Sequence, residues 1–292
     1  MKKTPTPGIH AAVPFDEYLQ WDAVSNSRLS LLKRSPKHFR HGFGEETEAM
    51  RFGTLTHSGV LEPLSIALRY AVMPDYTSHP DNVTKTGARS FSRTDFVRLK
   101  EEAFTRLHFD KQIVTRKQYD DMVGIASAIA ECHEAKALLR DGQSELSVVW
   151  EDRCGLLCKC RIDWLQLGCM RMIDLKTTAD AMRFDKAIAN YGYHRQMAFY
   201  LRGLGAHGLG DITPWIVAVE KDAPFGCRAA PMSEDALSVG CREIDELLSQ
   251  LVDCHMSGEW PGYQSPGLWS LPTWYGGEDT VELIVGGESL RV

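Results

Sequence analysis

Residues 158–178 constrain this chain more than any other stretch. They read Cys158-Lys-Cys-Arg-Ile-Asp163-Trp-Leu-Gln-Leu-Gly168-Cys-Met-Arg-Met-Ile-Asp174-Leu-Lys176-Thr-Thr. Two strand-like runs flank Gly168 and Cys169, which suits a two-residue hairpin turn with glycine at its first central position. Under that turn Ile162 faces Leu175 and Trp164 faces Ile173, giving one apolar face. Asp163 then faces Asp174 and Arg161 faces Lys176, giving one charged face. Two patterns agree on one register, and a slip by one residue would exchange the faces. A longer turn would shift the pairing.

That register sets two carboxylates directly opposite, with Cβ atoms about 5 Å apart, where like charges destabilise a plain sheet. A hard divalent cation turns the repulsion into ligation, because Mg²⁺ takes carboxylate oxygens and keeps several waters. Such waters supply a nucleophile for phosphodiester hydrolysis, and the metal offsets phosphate charge. Lys176 lies two residues beyond Asp174 on the same strand face. A lysine there orients or deprotonates water and stabilises a pentacovalent phosphate. The plain alternative is a solvated strand face of mixed charge; an Asp-x-Lys triplet alone does not decide between them.

The 292 residues are 43% hydrophobic and 25% charged, ordinary for a chain that buries a large core. No Pro/Gly/Ser-rich linker divides them, so one domain over 1–292 is expected: a mostly helical part (1–140), a catalytic sheet part (141–257) and a tail (258–292). No apolar run reaches the roughly 18 residues that span a bilayer, and Met1-Lys2-Lys3-Thr4-Pro5 leads into no secretory apolar region. A cytoplasmic protein with no membrane partner is expected. The eight cysteines form no CxxC pair and no zinc-finger spacing, so most are expected as reduced, buried thiols. The net charge of −6 is uneven: residues 1–120 hold 18 Lys+Arg against 14 Asp+Glu, and the remainder 15 against 25. A mildly basic first part suits phosphate contacts and an acidic second part suits metal ligands, although chance variation gives the same asymmetry.

Elements follow from pattern. Residues 1–24 read as an irregular lead-in. Ser25-Asn26-Ser27 caps a helix start, and 49–62 read as a helix stopped by Pro63. A short strand near 69–73 precedes a loop over 75–92. Helices are expected at 94–107 and 115–139, strands at 144–151, 156–165 and 170–177, then a helix over 180–204, a strand at 213–220 and a helix over 233–256. The fold class is α/β (α+β), a central mixed sheet flanked by helices with an N-terminal helical extension.

These residues resemble the PD-(D/E)xK nuclease superfamily, which has a restriction-endonuclease-like sheet, and in wider pattern its RecB-type and RecE-type branch. Arg51-Phe-Gly-Thr-Leu-Thr-His57 is like the branch's GTxxH helix, Arg161-Ile-Asp163-Trp and Ile173-Asp174-Leu-Lys176 are like its acidic strands, and Tyr193-His-Arg-Gln196-Met-Ala-Phe-Tyr200 is like its QxxxY helix. Residues 27–40, Gly258-Glu-Trp-Pro-Gly-Tyr263 and Leu271-Pro-Thr-Trp274 resemble its N-terminal helix and C-terminal tail.

The resemblance implies that His57, Asp163 and Asp174 ligate Mg²⁺ or Mn²⁺, that Lys176 is the catalytic lysine, and that Gln196 and Tyr200 support the site or touch DNA. Without it, His57 reads as a satisfied core histidine and Gln196 and Tyr200 as a polar rim and a half-buried aromatic. Glu145 opens the strand before the hairpin and reads as a further acidic member of the site or, in preference, as a surface residue. Lys33, Arg34, Lys37, Arg40, Arg51, Lys85, Arg89, Arg161 and Tyr193 are candidate DNA contacts, the basic stretches among them equally readable as solvated faces. The spacing of Cys227, Cys241 and Cys254 argues against the iron–sulfur cluster of some relatives. The absence of GxxxxGK[ST] argues against an ATP-driven motor. A RecE-type (exonuclease VIII-like) enzyme implies 5′-to-3′ digestion of double-stranded DNA ends, a ring-like homo-oligomer and a single-strand annealing recombinase as partner. The rivals are a Cas4-like or structure-specific endonuclease of the same superfamily, and a non-catalytic DNA-binding module that keeps the fold.

Overall fold

The computed structural model describes residues 3–90, 92–263, 267–268, 282–285 and 288–291. The first part holds β1 (Gly8–His10), α1 (Phe15–Gln20), α2 (Asn26–Arg34), α3 (Pro36–His41), α4 (Glu48–Leu61), α5 (Ile66–Arg69), β2 (Tyr70–Val72), α6 (Asp95–Leu107), β3 (Gln112–Val114), α7 (Arg116–Glu131) and α8 (His133–Leu138). The second holds β4 (Gln143–Glu151), β5 (Leu157–Gln166), β6 (Arg171–Thr178), α9 (Phe184–Tyr191), α10 (Tyr193–Gly205), β7 (Thr213–Glu220), β8 (Cys227–Pro231) and α11 (Glu234–Ser257). Residues 282–285 and 288–291 pair as β9 and β10. The tail motif at 271–274 lies outside the described residues. No described helix is long and apolar enough to cross a membrane.

Six strands form one mixed sheet in the order β1-β4-β5-β6-β7-β8. Every neighbouring pair is antiparallel except β6 and β7. The parallel pair needs a crossover, which α9 and α10 provide. Helices cover both faces. On one, Leu29 and Leu32 of α2, Met197 and Phe199 of α10 and Leu248 of α11 pack on Cys160, Ile162 and Met172. On the other, Leu61 of α4, Ile125 and Ile129 of α7 and Leu138 of α8 pack on Ile173, Leu175, Val217 and Val219.

The expected hairpin register holds at its closed end: Trp164 pairs with Ile173, Leu165 with Met172 and Gln166 with Arg171. The turn itself differs. It spans four residues, 167–170, with a 3₁₀ turn over Leu167–Cys169 and Met170 in the left-handed region at φ 52°. The two additional residues sit symmetrically about the same centre, so the pairing is unchanged. The single apolar face is also corrected. Ile162 packs with α10 and α11, whereas Trp164, Ile173 and Leu175 pack with α7 and α8. A sheet covered on both sides has no polar face to mark its register.

Other expectations shift at breaks. The helix expected over 115–139 divides at Cys132, whose ψ of 113° is extended. That over 180–204 divides at Gly192, in the left-handed conformation at φ 69°. The lead-in is not irregular: β1 extends the sheet along β4. Lys159, buried in β5, donates to the carbonyls of Tyr18 at 2.7 Å and Trp21 at 2.8 Å, fastening α1 to the sheet.

Candidate active site

The closed hairpin opens toward its far end, where the β5–β6 pairing stops after Trp164↔Ile173. One residue on, Asp163 Oδ2 accepts a hydrogen bond from the Leu175 peptide N at 2.8 Å. On the other side the β4–β5 ladder skips Glu145 and Asp163, although Ser144↔Trp164 and Leu146↔Ile162 flank them. Glu145 has a left-handed backbone at φ 54°, a conformation rare for non-glycine residues. This kink brings its carboxylate in beside Asp163.

His57 arrives from α4. Thr47 caps that helix by accepting from the Met50 N, and Leu55 and Leu61 anchor it. His57 Nδ1 lies 3.5 Å from Asp163 Oδ1. One ligand atom each of His57, Glu145 and Asp163 fall within 4.8 Å of one another. Glu145, expected at the surface, is therefore a corner of the site. The register of the β4–β5 hairpin, which sets residue 145 opposite residue 163, is the signal that would have found it.

Asp174 lies beside this trio rather than within it. Its Oδ2 is 2.5 Å from Lys176 Nζ. Its Oδ1 accepts from Gln196 Nε2 at 2.9 Å, and the same nitrogen lies 3.0 Å from the Tyr200 hydroxyl. Gln196 and Tyr200 share a face of α10 at four-residue spacing. Arg195 locks α10 in place, donating to Asn26 and Ser30 of α2 and to Glu243 of α11.

The electrostatics follow from crowding. Burial, reinforced by the Asp163 charge, pushes the Asp174 carboxyl up to about 6 against the pull of Lys176. Burial would raise Asp163 too, but His57, Lys176 and the Leu175 N–H outweigh it and hold it below the usual range. Burial would lower His57 and Lys176, but the carboxylates beside them prevail and both are raised. Burial and the Asp163 charge raise Glu145, with Arg161 opposing.

These donors fit a hard divalent cation. One imidazole and two carboxylates converge, a donor set that Mg²⁺ or Mn²⁺ accepts. Loss of the His57 proton on ligation would leave three carboxylates (Glu145, Asp163, Asp174) facing two cations (Arg161, Lys176), one negative charge in excess. Asp174 Oδ2 is buried against the Lys176 ammonium at 2.5 Å.

The other expected contacts divide. Arg161 is turned inward, its guanidinium held by Glu145, the Val13 carbonyl and Ser147, so it braces Glu145 rather than facing solvent. Lys33 pairs with Glu243 at 2.8 Å. Arg34 donates to the Tyr263 hydroxyl and Arg40 lies over Trp260, because the segment 258–263 folds back on α2 and α3. Lys37, Arg51, Lys85 and Arg89 are exposed, Arg51 and Arg89 with bonds to main-chain carbonyls. Tyr193 stands over the site, its ring 5.1 Å from Lys176 Nζ.

A mixed sheet under helices, parting around a histidine, three carboxylates and a lysine, is a PD-(D/E)xK-like fold. The family model of the PDDEXK-like domain of unknown function (DUF3799) matches residues 25–266, and the chain belongs to that family. A crystal structure from Eubacterium rectale, described as a "Putative exonuclease", is similar over 86% of this chain and 89% of that one, with a TM-score of 0.50 and 14% identity. That likeness supports the fold. The crystal structure of SSO0001 aligns over 70% of this chain and 88% of its own, with a TM-score of 0.28 and 16% identity. No curated protein matches the sequence.

Proposed function

We propose that this chain is a divalent-metal-dependent deoxyribonuclease. The observation that carries this reading is the meeting of His57, from the helical part, with Glu145 and Asp163 of the sheet part beside the Asp174–Lys176 pair. It also favours the two parts acting as one catalytic unit. His57, Asp163 and Asp174, with Glu145 added, are the proposed ligands of Mg²⁺, for which Mn²⁺ substitutes. A bound cation supplies Lewis-acid stabilisation of charge on the scissile phosphate.

The protein's own groups do the rest. Lys176, beside Asp174, places a positive charge toward the phosphate and the attacking water. Gln196 holds one Asp174 oxygen in place and Tyr200 holds Gln196. Lys37, Arg51, Lys85 and Arg89 are the exposed cations proposed to meet the DNA backbone. In its finer form the proposal is a 5′-to-3′ exonuclease that resects linear duplex DNA for phage-type recombination. It would work as a homo-oligomer beside a single-strand annealing recombinase, as the RecE-type resemblance implies.

The test measures acid-soluble nucleotides released from linear, nicked and closed-circular DNA with Mg²⁺, Mn²⁺ or EDTA. Wild type is expected to degrade linear duplex only with metal, and Asp174→Ala and Lys176→Ala to lose the activity. Wild-type rates in both variants overturn the site. Cleavage of closed circles makes the chain an endonuclease, and binding without cleavage makes it a non-catalytic module. Light scattering with and without DNA tests the oligomer, and end-labelled substrate tests the polarity.

A further inference from the structure

An aromatic row leads outward from the catalytic lysine. The Tyr193 ring, over Lys176, stacks on Phe184 with centroids 5.6 Å apart and planes 11° from parallel. Tyr191 also neighbours the Tyr193 ring, tilted, with centroids 5.7 Å apart and an interplanar angle of 33°. Gly192 makes this possible: its left-handed backbone ends α9 and starts α10, so the residues before and after it lie side by side. A Cβ there would come within 2.9 Å of the Arg195 guanidinium.

Phe184 and Tyr193 have a packing role, since both border the core under α10. Tyr191 has none that compares. It is 69% exposed, and no residue of α9 is buried. Met182 is also open to solvent, and the Arg183 side chain is 74% exposed beside it. An exposed tyrosine that continues an aromatic row from Lys176, with the exposed Arg183 guanidinium 3.9 Å from Asp180 beside it, suits a flat, anionic chain of rings. Nucleobases stack on aromatic side chains regardless of sequence, provided that they are unpaired. Bases within a duplex already stack on their neighbours and do not present that face.

We infer that Phe184, Tyr193 and Tyr191 form a stacking platform for the unpaired terminal bases of the DNA strand being cut, so that the site takes a frayed or overhanging end in preference to a flush one. The inference rests on the nuclease reading and adds the form of the substrate end. Arg183 meets the phosphate beside the stacked bases, and Tyr191 carries the outermost base.

The experiment uses the full chain with two readouts. First, duplexes with flush ends and with three-nucleotide single-stranded overhangs are compared in Mg²⁺ for wild type, Tyr191→Ala and Tyr191→Phe. Wild type is expected to show a lower KM on overhangs. Tyr191→Ala should raise that KM about tenfold, the scale of one stacked base, and more than it raises the flush-end KM, whereas Tyr191→Phe keeps the wild-type value. Second, 2-aminopurine placed in the overhang reports stacking by fluorescence quenching in EDTA, where no cleavage occurs. Quenching by wild type and Tyr191→Phe but not Tyr191→Ala supports the platform. An equal KM on both ends, or equal quenching by all three proteins, overturns it. Absence of cleavage on every substrate defeats the nuclease reading alone, because the quenching experiment still decides the stacking.

Discussion

Leu175 N donates to Asp163 Oδ2 at 2.8 Å, one residue beyond the last β5–β6 ladder pair. A carboxylate thus replaces a strand partner, and one side chain closes the sheet edge while its other oxygen faces His57. Asp163→Asn retains an acceptor for Leu175 N and removes a charge from an acidic cluster. It should fold with little change in urea midpoint while losing divalent-metal binding, measured by titration calorimetry. Asp163→Ala leaves a buried N–H without its acceptor and should lose about 1–3 kcal/mol in the same urea experiment. Equal stability of the two variants would show that the Leu175 bond contributes nothing.

Asp174 gives the metal-free protein a definite pH dependence. Its folded pKa, about 6, lies above an unfolded value near 4. Protonation of Asp174 therefore stabilises the fold fully below about pH 4, and that stabilisation is lost as pH rises through about 6. Asp174→Asn is neutral throughout and lacks this loss. In EDTA the stability advantage of Asp174→Asn over wild type should grow by roughly 3 kcal/mol from pH 4 to pH 7. Asp163, held below the usual carboxylate range, titrates in the opposite sense below the pH window compared. A constant difference across that range removes the basis for the raised pKa.

The Tyr200 hydroxyl lies 3.0 Å from Gln196 Nε2, which in turn holds Asp174. Tyr200→Phe removes one partner of a single hydrogen bond, worth about 1 kcal/mol. The rate of DNA hydrolysis at saturating substrate should fall about fivefold with KM unchanged. A change confined to KM would move Tyr200 from positioning Asp174 to touching the DNA.

Arg195 is 2% exposed and joins three helices. Burial acts to raise its partner Glu243, yet hydrogen bonds from Lys33 and Arg195 hold that carboxyl down at about 2. Arg195→Ala leaves Asn26, Ser30 and Glu243 without their shared donor and should cost about 3 kcal/mol in urea unfolding. The loss should appear with and without metal, which separates Arg195 from the residues of the site.

The legible parts were those fixed by local pattern. Trp164↔Ile173 followed from alternation on both strands, and α4, α11 and β7 fell within a residue or two of the periodic runs that announced them. The His57, Gln196 and Tyr200 positions came from the resemblance, since a histidine between Thr56 and Ser58 carries no distinguishing period. What local pattern could not hold was non-local. β1 is three residues long and exists because β4 offers an edge. Arg161 looked like a surface cation because nothing in its neighbourhood names Val13 as its acceptor. Glu145 was misjudged because a left-handed glutamate leaves no trace in hydrophobic spacing.

That left-handed glutamate also says what the strand is optimised for. Glycine or asparagine at 145 would relax the backbone by about 1 kcal/mol but would leave the Arg161 guanidinium without its carboxylate. Keeping a glutamate at φ 54° forgoes that relaxation at the one place where it would delete an acid from the cluster. Because the same carboxylate is the partner of the inward-turned Arg161, its loss costs more than the backbone relaxation returns, so substitutions at 145 should lower both heat resistance and activity.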